Sequence, residues 1–252
     1  FRYDTAVNEV TTAHGRATGV RLATGEHIEA DAVISNADIA ALAGGRLGPA
    51  ATRAVPAMPS EQRSLSAVTW NIHARTEGFP LLRHNVFFCR DYAAEFAAIF
   101  DQGQLPEAPT VYICAQDRDD SEDTRIKGAE RLLCLVNAPP RGDIQPFTPQ
   151  EIEACETRTF ELLARCGLRI KRHSDTTVIT RPSDFDRLFP ATGGALYGRA
   201  SHGSRGPFQR PVARSRLPGL YLTGGSVHPG PGVPMTAISG RMAAAAVLKD
   251  LT

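Results

Sequence analysis

The chain has 252 residues, 42% of them hydrophobic and 22% charged, enough apolar material for one large domain or two ordinary ones. Lys and Arg number 28 against 27 Asp and Glu, so the formal charge is +1 and there is no electrostatic case for a nucleic-acid partner. No apolar run approaches the ~18–20 residues of a spanning helix and no signal peptide is visible; the cysteines, Cys89, Cys114, Cys134, Cys155 and Cys166, lack CxxC or Cys/His metal-ligand spacing, so they read as reduced core thiols of a cytoplasmic protein without a metal.

Residues 1–38 are expected to be β-rich. Phe1, Tyr3, Ala6 and Val10 are interleaved with polar residues, His14-Gly15-Arg16 turns, and Gly19-Val20-Arg21-Leu22 returns to a second turn at Thr24-Gly25. Ile28, Ala30, Ala32, Val33 and Ile34 read as one further strand, ending at Ser35-Asn36-Ala37-Asp38 and completing a three-stranded ribbon. Residues 39–62, rich in Ala, Gly and Pro, read as a linker with one short helix.

The composition then shifts. Residues 64–74 alternate as a strand, with Leu65, Ala67, Thr69, Asn71 and His73 on one side and Ser66, Val68, Trp70 and Ile72 on the other. Further short strands fall at 86–89, 111–115, 132–136 and 176–180, which suggests an antiparallel sheet able to keep one face free to line a cavity. Two helices interrupt it. Asp91 can cap a helix whose Tyr92, Phe96, Ile99 and Phe100 share a stripe. Thr148-Pro149-Gln150-Glu151 is a capping box opening a helix that ends before Gly167, with Ile152, Cys155, Leu162, Leu163 and Cys166 needing a partner surface. The charge run at 117–125 reads as a solvated loop, and His84, His173 and His202 as surface residues.

Near the C-terminus a short apolar run, a turn built from Gly and Pro, and an Ala-rich run form a strand, a loop and a helix over 219–251. Pro234 suits the first helical turn, where its missing N–H is no loss. The helix N-terminus leaves backbone N–H groups and a positive dipole end facing the loop, favouring an electron-rich or anionic occupant. Ala237, Ser239, Gly240, Ala243 and Ala244 make the helix surface small, and Gly240, at about 1 kcal/mol against Ala, implies close packing by a sheet or a flat ring. Taken by spacing alone, the same segment is also a plain tight β-α turn closing a domain.

This segment, 224–240, resembles the C-terminal flavin-binding motif of the bacterial carotenoid desaturases, the phytoene-desaturase-like branch of the FAD-dependent amine oxidase and desaturase group. Within it the wording is similar to that of the hydroxy- and methoxy-carotenoid 3,4-desaturases. The similarity extends to Arg83-His84-Asn85-Val86-Phe87-Phe88, to residues 110–119, and to Leu188-Phe189-Pro190-Ala191-Thr192-Gly193-Gly194-Ala195-Leu196-Tyr197-Gly198. The resemblance implies an α/β (α+β) chain: part of a two-domain, amine-oxidase-like fold in which 1–60 and 191–252 contribute to a discontinuous FAD domain and 61–190 form an antiparallel-sheet substrate domain. The chain starts at Phe1 and contains no GxGxxG after a strand, the fingerprint that family members carry at their N-terminus, so it is expected to be the C-terminal half of a longer protein whose other half is its partner.

The resemblance also implies site residues. Val7 lays its backbone against the adenine of FAD. Gly224, Gly225 and Ser226 border the ribityl and phosphate part, Ser226 standing where amine oxidases of the wider group often carry an acidic residue. Gly232, Val233, Pro234 and Met235 bring the helix N-terminus toward the pyrimidine edge of the flavin. The implied activity is FAD-dependent desaturation of an acyclic carotenoid, 3,4-desaturation of a 1-hydroxy or 1-methoxy compound such as hydroxyneurosporene, by an enzyme held peripherally at the cytoplasmic membrane. That chemistry belongs to the cofactor and needs few ionisable groups, in keeping with the lack of GxSxG, HExxH or P-loop patterns. No catalytic residue is assigned. His228, Trp70 and Phe87 are candidates for touching the substrate, against plain turn and core roles. A retinol-saturating or amine-oxidising flavoprotein, or a fragment that binds without catalysing, remain the alternatives.

Overall fold

The computed structural model describes residues 1–119, 126, 128–201 and 206–252. His202 and most of the charge run at 117–125 lie outside the described residues. The chain divides into two compact units: residues 1–64 with 186–252, and residues 65–185.

In the first unit, β1 (Val7–Ala13), β2 (Arg16–Leu22) and β3 (His27–Glu29) form an antiparallel three-stranded sheet. The β1–β2 hairpin turns at His14 and Gly15, both at positive φ (52° and 75°), the conformation that matches strand twist in a two-residue turn. The single strand expected from Ile28 through Ile34 is instead two. β3 ends at Glu29, and the chain leaves the ribbon where Arg16 holds the Asp31 carbonyl at 3.0 Å. It restarts as β4 (Val33–Ser35), which pairs in parallel with β11 (Leu220–Leu222). The stretch read as a linker is also packed rather than loose. It holds α1 (Ile39–Ala43), capped by Asp38 through the Ala40 amide at 2.9 Å. Ile39, Leu42, Ala51, Ala54 and Val55 are buried in one cluster with Val10, Leu220, Leu222 and Val227. Small side chains let the turns lie flat on that core; in the sequence the same residues imitate a spacer.

The second unit is an antiparallel sheet in the order β10-β5-β8-β7-β6, made of β5 (Ser66–Gly78), β6 (His84–Phe87), β7 (Val111–Ala115), β8 (Glu130–Ala138) and β10 (Thr177–Thr180); β9 (Leu168–Lys171) pairs with the far end of β5. Val68, Trp70 and Ile72 of β5 align with Val136, Cys134 and Leu132 of β8, and these with Val111, Ile113 and Ala115 of β7, giving one fully buried face. α3 (Pro149–Arg165) covers it with Ile152, Cys155 and Leu163. Its capping box is formed in both directions, Thr148 Oγ1 accepting from the Glu151 amide at 3.2 Å and Glu151 from the Thr148 amide at 2.7 Å. Cys166, expected on the apolar stripe, is exposed beyond the helix end. A buried ion pair stands at the start of β8. Glu130, 1% exposed, accepts two hydrogen bonds of 2.7 Å from Arg118 and one of 2.6 Å from Thr76.

α2 (Tyr92–Phe100) starts at Asp91, whose Oδ1 accepts from the Ala94 amide at 2.9 Å. Its stripe is not the one expected: Glu95 and Ile99 point inward, while Tyr92 and Phe100 are exposed and Phe96 half-buried. α4 (Pro182–Leu188), not anticipated from sequence, leads out of the second unit. Among the described residues no helix is long and apolar enough to cross a membrane, and no cluster of His, Cys, Asp or Glu could hold a metal.

Candidate functional site

The strand-loop-helix at the C-terminus consists of β11, the loop 223–232 and α5 (Val233–Leu251). α5 opens on Gly232 at φ 101°, with Pro234 in the first turn and no capping side chain. The amides of Val233 and Met235 therefore lack intrahelical partners. A Cβ on Gly232 would meet nothing within 4 Å, and Val233 is 84% exposed, so these donors look onto open space. A group with electron-rich edges fits there.

Behind the loop lies a buried polar cluster that composition did not reveal. Arg210, 4% exposed, donates to three carbonyls, those of Tyr197 at 2.9 Å, Gly225 at 3.0 Å and Arg199 at 2.7 Å, and to Ser201 Oγ at 3.3 Å. One guanidinium thus ties the 197–201 segment to the Gly/Pro loop. Gly198, at φ 64°, completes the contact, since a Cβ there would stand 2.7 Å from Ser226 Cβ. Burial pushes the Asp38 carboxyl above its usual range, against the opposing pull of the Ala40 amide, the Ser226 hydroxyl and the charges of Arg210 and Arg63. Burial likewise holds Arg210 below the ordinary guanidinium value, with Asp38 opposing.

The Ser226 side chain is tied to the first unit's core behind the loop. It is 5% exposed, and its hydroxyl accepts from the Ile39 amide at 3.2 Å beside Asp38. The Gly224 amide donates to Ser239 Oγ at 3.2 Å, fastening the loop to the middle of α5. His228 stacks on Phe208 with centroids 6.3 Å apart, and its amide donates to the Pro211 carbonyl at 2.8 Å, so it fixes the turn. Gly240 is not held by close packing within the chain, because a Cβ there would meet Thr223 Oγ1 at an ordinary 3.7 Å. Val7 opens β1, half exposed, opposite Leu22.

The two aromatic candidates of the second unit belong to its core. Trp70 is fully buried, donating to Glu156 Oε2 at 3.1 Å and meeting Phe160 edge-on; Phe87 packs on Phe79 at 5.0 Å. Both stand on the sheet face that α3 covers. The opposite face presents Leu133 and Leu135 of β8, Tyr112 of β7, Val86 of β6 and Val178 of β10, half-buried or exposed, together with the polar Asn71 and His73 of β5 and His84 of β6. The signal for that face was in the sequence as the second phase of each alternation, where the large aromatics of the first phase masked it.

Comparison with known proteins follows the same lines. The family model described as flavin containing amine oxidoreductase matches residues 1–248. The chain is 55% identical over 250 residues to a hydroxyneurosporene desaturase of Rubrivivax gelatinosus, covering 99% of this chain and 47% of that protein. It is 45% identical over 251 residues to a hydroxyneurosporene desaturase of Cereibacter sphaeroides, covering 100% and 50%. The chain thus spans about half the length of the curated relatives it matches. A crystal structure of an oxidoreductase from Methanosarcina mazei superposes with a TM-score of 0.51 at 16% identity, over 97% of this chain and 49% of that one, which bears on the fold alone.

Proposed function

The chain belongs to the flavin-containing amine oxidoreductase family, and on that premise we propose that it is the flavin-facing and substrate-covering part of an FAD-dependent carotenoid desaturase. The observation that carries this reading is the 55% identity to a hydroxyneurosporene desaturase along almost the whole chain. The proposed substrate is an acyclic 1-hydroxy or 1-methoxy carotenoid, desaturated at the 3,4 position. Neither a retinol-saturating nor an amine-oxidising role has comparable support.

Bound FAD would supply the hydride acceptor for desaturation, with hydride leaving a carbon beside the polyene and a proton leaving the neighbouring carbon so that the new double bond forms. The residues that would hold it are the backbones of Val7, Gly224, Gly225, Ser226 and Gly232 along its length, with Val233, Pro234 and Met235 at its flavin end. The uncapped start of α5 supports this, since negative charge gathers at that edge on reduction and helix amides stabilise it. The half-exposed apolar face of Val86, Tyr112, Leu133, Leu135 and Val178 suits a long hydrocarbon chain and excludes water from it. Among the described residues β4 and β11 form a parallel pair two strands wide, an arrangement that is marginal unless further strands and helices cover it. That favours a partner segment from the same protein, carrying the GxGxxG pyrophosphate cradle. With an apolar substrate, peripheral contact with the cytoplasmic membrane forms part of the reading.

The test is reconstitution of the full-length protein with FAD and chromatographic analysis of hydroxyneurosporene after incubation. A product lacking two hydrogens is expected. Unchanged hydroxyneurosporene and unchanged methoxy analogue, with flavin bound, would sink the proposal.

A further inference from the structure

The strand register maps the open face of the second unit's sheet. Val86, Tyr112, Leu135 and Thr69 lie in one row across β6, β7, β8 and β5, and His84, Cys114, Leu133 and Asn71 in the next. Half-buried Leu133 and Leu135 make the middle of both rows apolar, and His84 stands exposed on β6. Its Nδ1 is 2.8 Å from the Tyr112 hydroxyl on the adjoining strand, with the two rings stacked at 6.2 Å and their planes 18° apart. One side of the imidazole is thereby fixed. Among the described residues its Nε2 makes no hydrogen bond. Burial holds the Tyr112 phenol above its ordinary value, with Cys114 adding to the shift and Arg83 opposing it, so the phenol keeps its proton and remains a hydrogen-bond partner. The other imidazole of this face, His73, is placed differently. It lies opposite Arg131, beside the Asp117–Arg131 ion pair.

Desaturation carries a chemical requirement that the flavin loop does not meet. Departure of hydride leaves positive charge on the polyene, and the neighbouring C–H must then give its proton to a base. A face that excludes water from the hydrocarbon supplies no solvent to take it. A side chain has to stand within the apolar rows, and imidazole is the group suited to gaining and releasing a proton. An imidazole anchored at one nitrogen and open at the other meets that need, because the anchor sets both the tautomer and the ring orientation.

We propose that His84 is the proton acceptor of the desaturation and that Tyr112 is its positioning residue. Nδ1–H donates to the Tyr112 oxygen, which leaves Nε2 as the acceptor. The first C–H bond to break gives its electron pair, with the hydrogen, to the flavin. The second leaves its pair behind as the new C=C bond, while its proton forms an N–H bond at Nε2. The carotenoid is oxidised by two electrons, the flavin is reduced by two, and the imidazolium afterwards returns its proton to water. This assignment rests on the desaturase reading and on the carotenoid lying along the open face.

The test uses the full-length, FAD-loaded protein. Labelling with diethyl pyrocarbonate, resolved by peptide mass spectrometry, should modify His84 in the free protein and spare it when hydroxyneurosporene is bound. His14, exposed in the β1–β2 turn, should be labelled equally in both. His84→Gly should convert hydroxyneurosporene about a hundredfold more slowly at unchanged KM, the low end of what a general base contributes, and added imidazole should restore part of the rate. His84→Gln keeps more of the side-chain volume and should be as slow without rescue. Tyr112→Phe keeps the ring but not the hydroxyl, and should be about tenfold slower through loss of one hydrogen bond to a group that becomes charged. All three variants should retain FAD and the wild-type melting temperature. Conversion at the wild-type rate by His84→Gln overturns the proposal. So does labelling of His84 that bound carotenoid leaves unchanged, or slowing of His84→Gly that imidazole does not relieve, which is the mark of a structural role. A wild-type protein that converts no carotenoid would sink the desaturase reading, and this assignment with it.

Discussion

Arg210→Met is the most direct probe of how the flavin loop is held. The methionine is close in length, so the packing volume is largely kept while all the donors are lost. Tyr197, Gly225 and Arg199 lose the N–H that now reaches them at 2.9, 3.0 and 2.7 Å. Each stranded carbonyl is worth about 1–3 kcal/mol if it stays dry. Tyr197 is itself exposed, so its carbonyl regains water and lies at the low end. Relief of the guanidinium's own desolvation offsets part of the rest. The net destabilisation should be about 2–4 kcal/mol, read by urea unfolding followed by circular dichroism. Arg210→Lys keeps the charge but not the fork, and should fall between the two. In the full-length protein the methionine variant should retain less FAD after gel filtration, because the Gly225 carbonyl and its loop are freed. A variant within about 0.5 kcal/mol of wild type, with FAD retained, would show that the loop is set by its glycines and prolines and that the clamp is incidental.

Three further outcomes can be checked on the same chain. Arg214 and Tyr221 hold the Asp250 carboxyl down to about 2; a carboxyl depressed on folding stabilises above its unfolded value and loses that contribution as pH falls through the folded one. The melting temperature of Asp250→Asn should therefore lie below wild type at pH 6 and converge on it between about pH 4 and 2. Burial pushes Cys134 up to about 12 and Cys155 to about 11, whereas Cys166 is exposed. Alkylation at pH 8 followed by mass spectrometry should label Cys166 quickly and the two buried thiols only after unfolding. Gly240→Ala should stabilise the chain by about 0.5–1 kcal/mol, as urea unfolding would show, because the added methyl meets nothing closer than 3.7 Å. A loss of stability there would mean that the helix face is tighter than its geometry.

What was legible in the sequence was whatever local rules decide. Asp91 and the Thr148/Glu151 box mark their helix starts because a cap is a contact across three residues. The strands at 111–115 and 132–136 declare themselves by apolar runs that survive any partner. Pairing choices were not legible. Ile28 and Val33 look like one strand, yet they serve different sheets, since β4 is defined by Leu220–Leu222, about as far along the chain as a partner can be. Residues 39–62 failed for a related reason: alanine and proline packed flat on Val10 and Leu222 have the composition of a spacer.

The site divides in the same way. Glycines that need positive φ are visible as letters, so the loop from Gly224 to Gly232 could be found, and its helix start could be read as a place for an electron-rich group. Arg210 could not be found, because one arginine among 27 other basic residues announces nothing until four acceptors converge on it. Ser226 illustrates what a motif position leaves open. The motif gives its place in the loop but not the partner of its hydroxyl, and a buried hydroxyl goes to the nearest unsatisfied donor or acceptor. Here those are the Ile39 amide and the Asp38 carboxyl, both supplied by a helix 187 residues earlier in the chain. The loop is thus positioned from behind by side chains and presents mainly backbone in front, and backbone is the part that a substitution at Ser226 or His228 leaves in place.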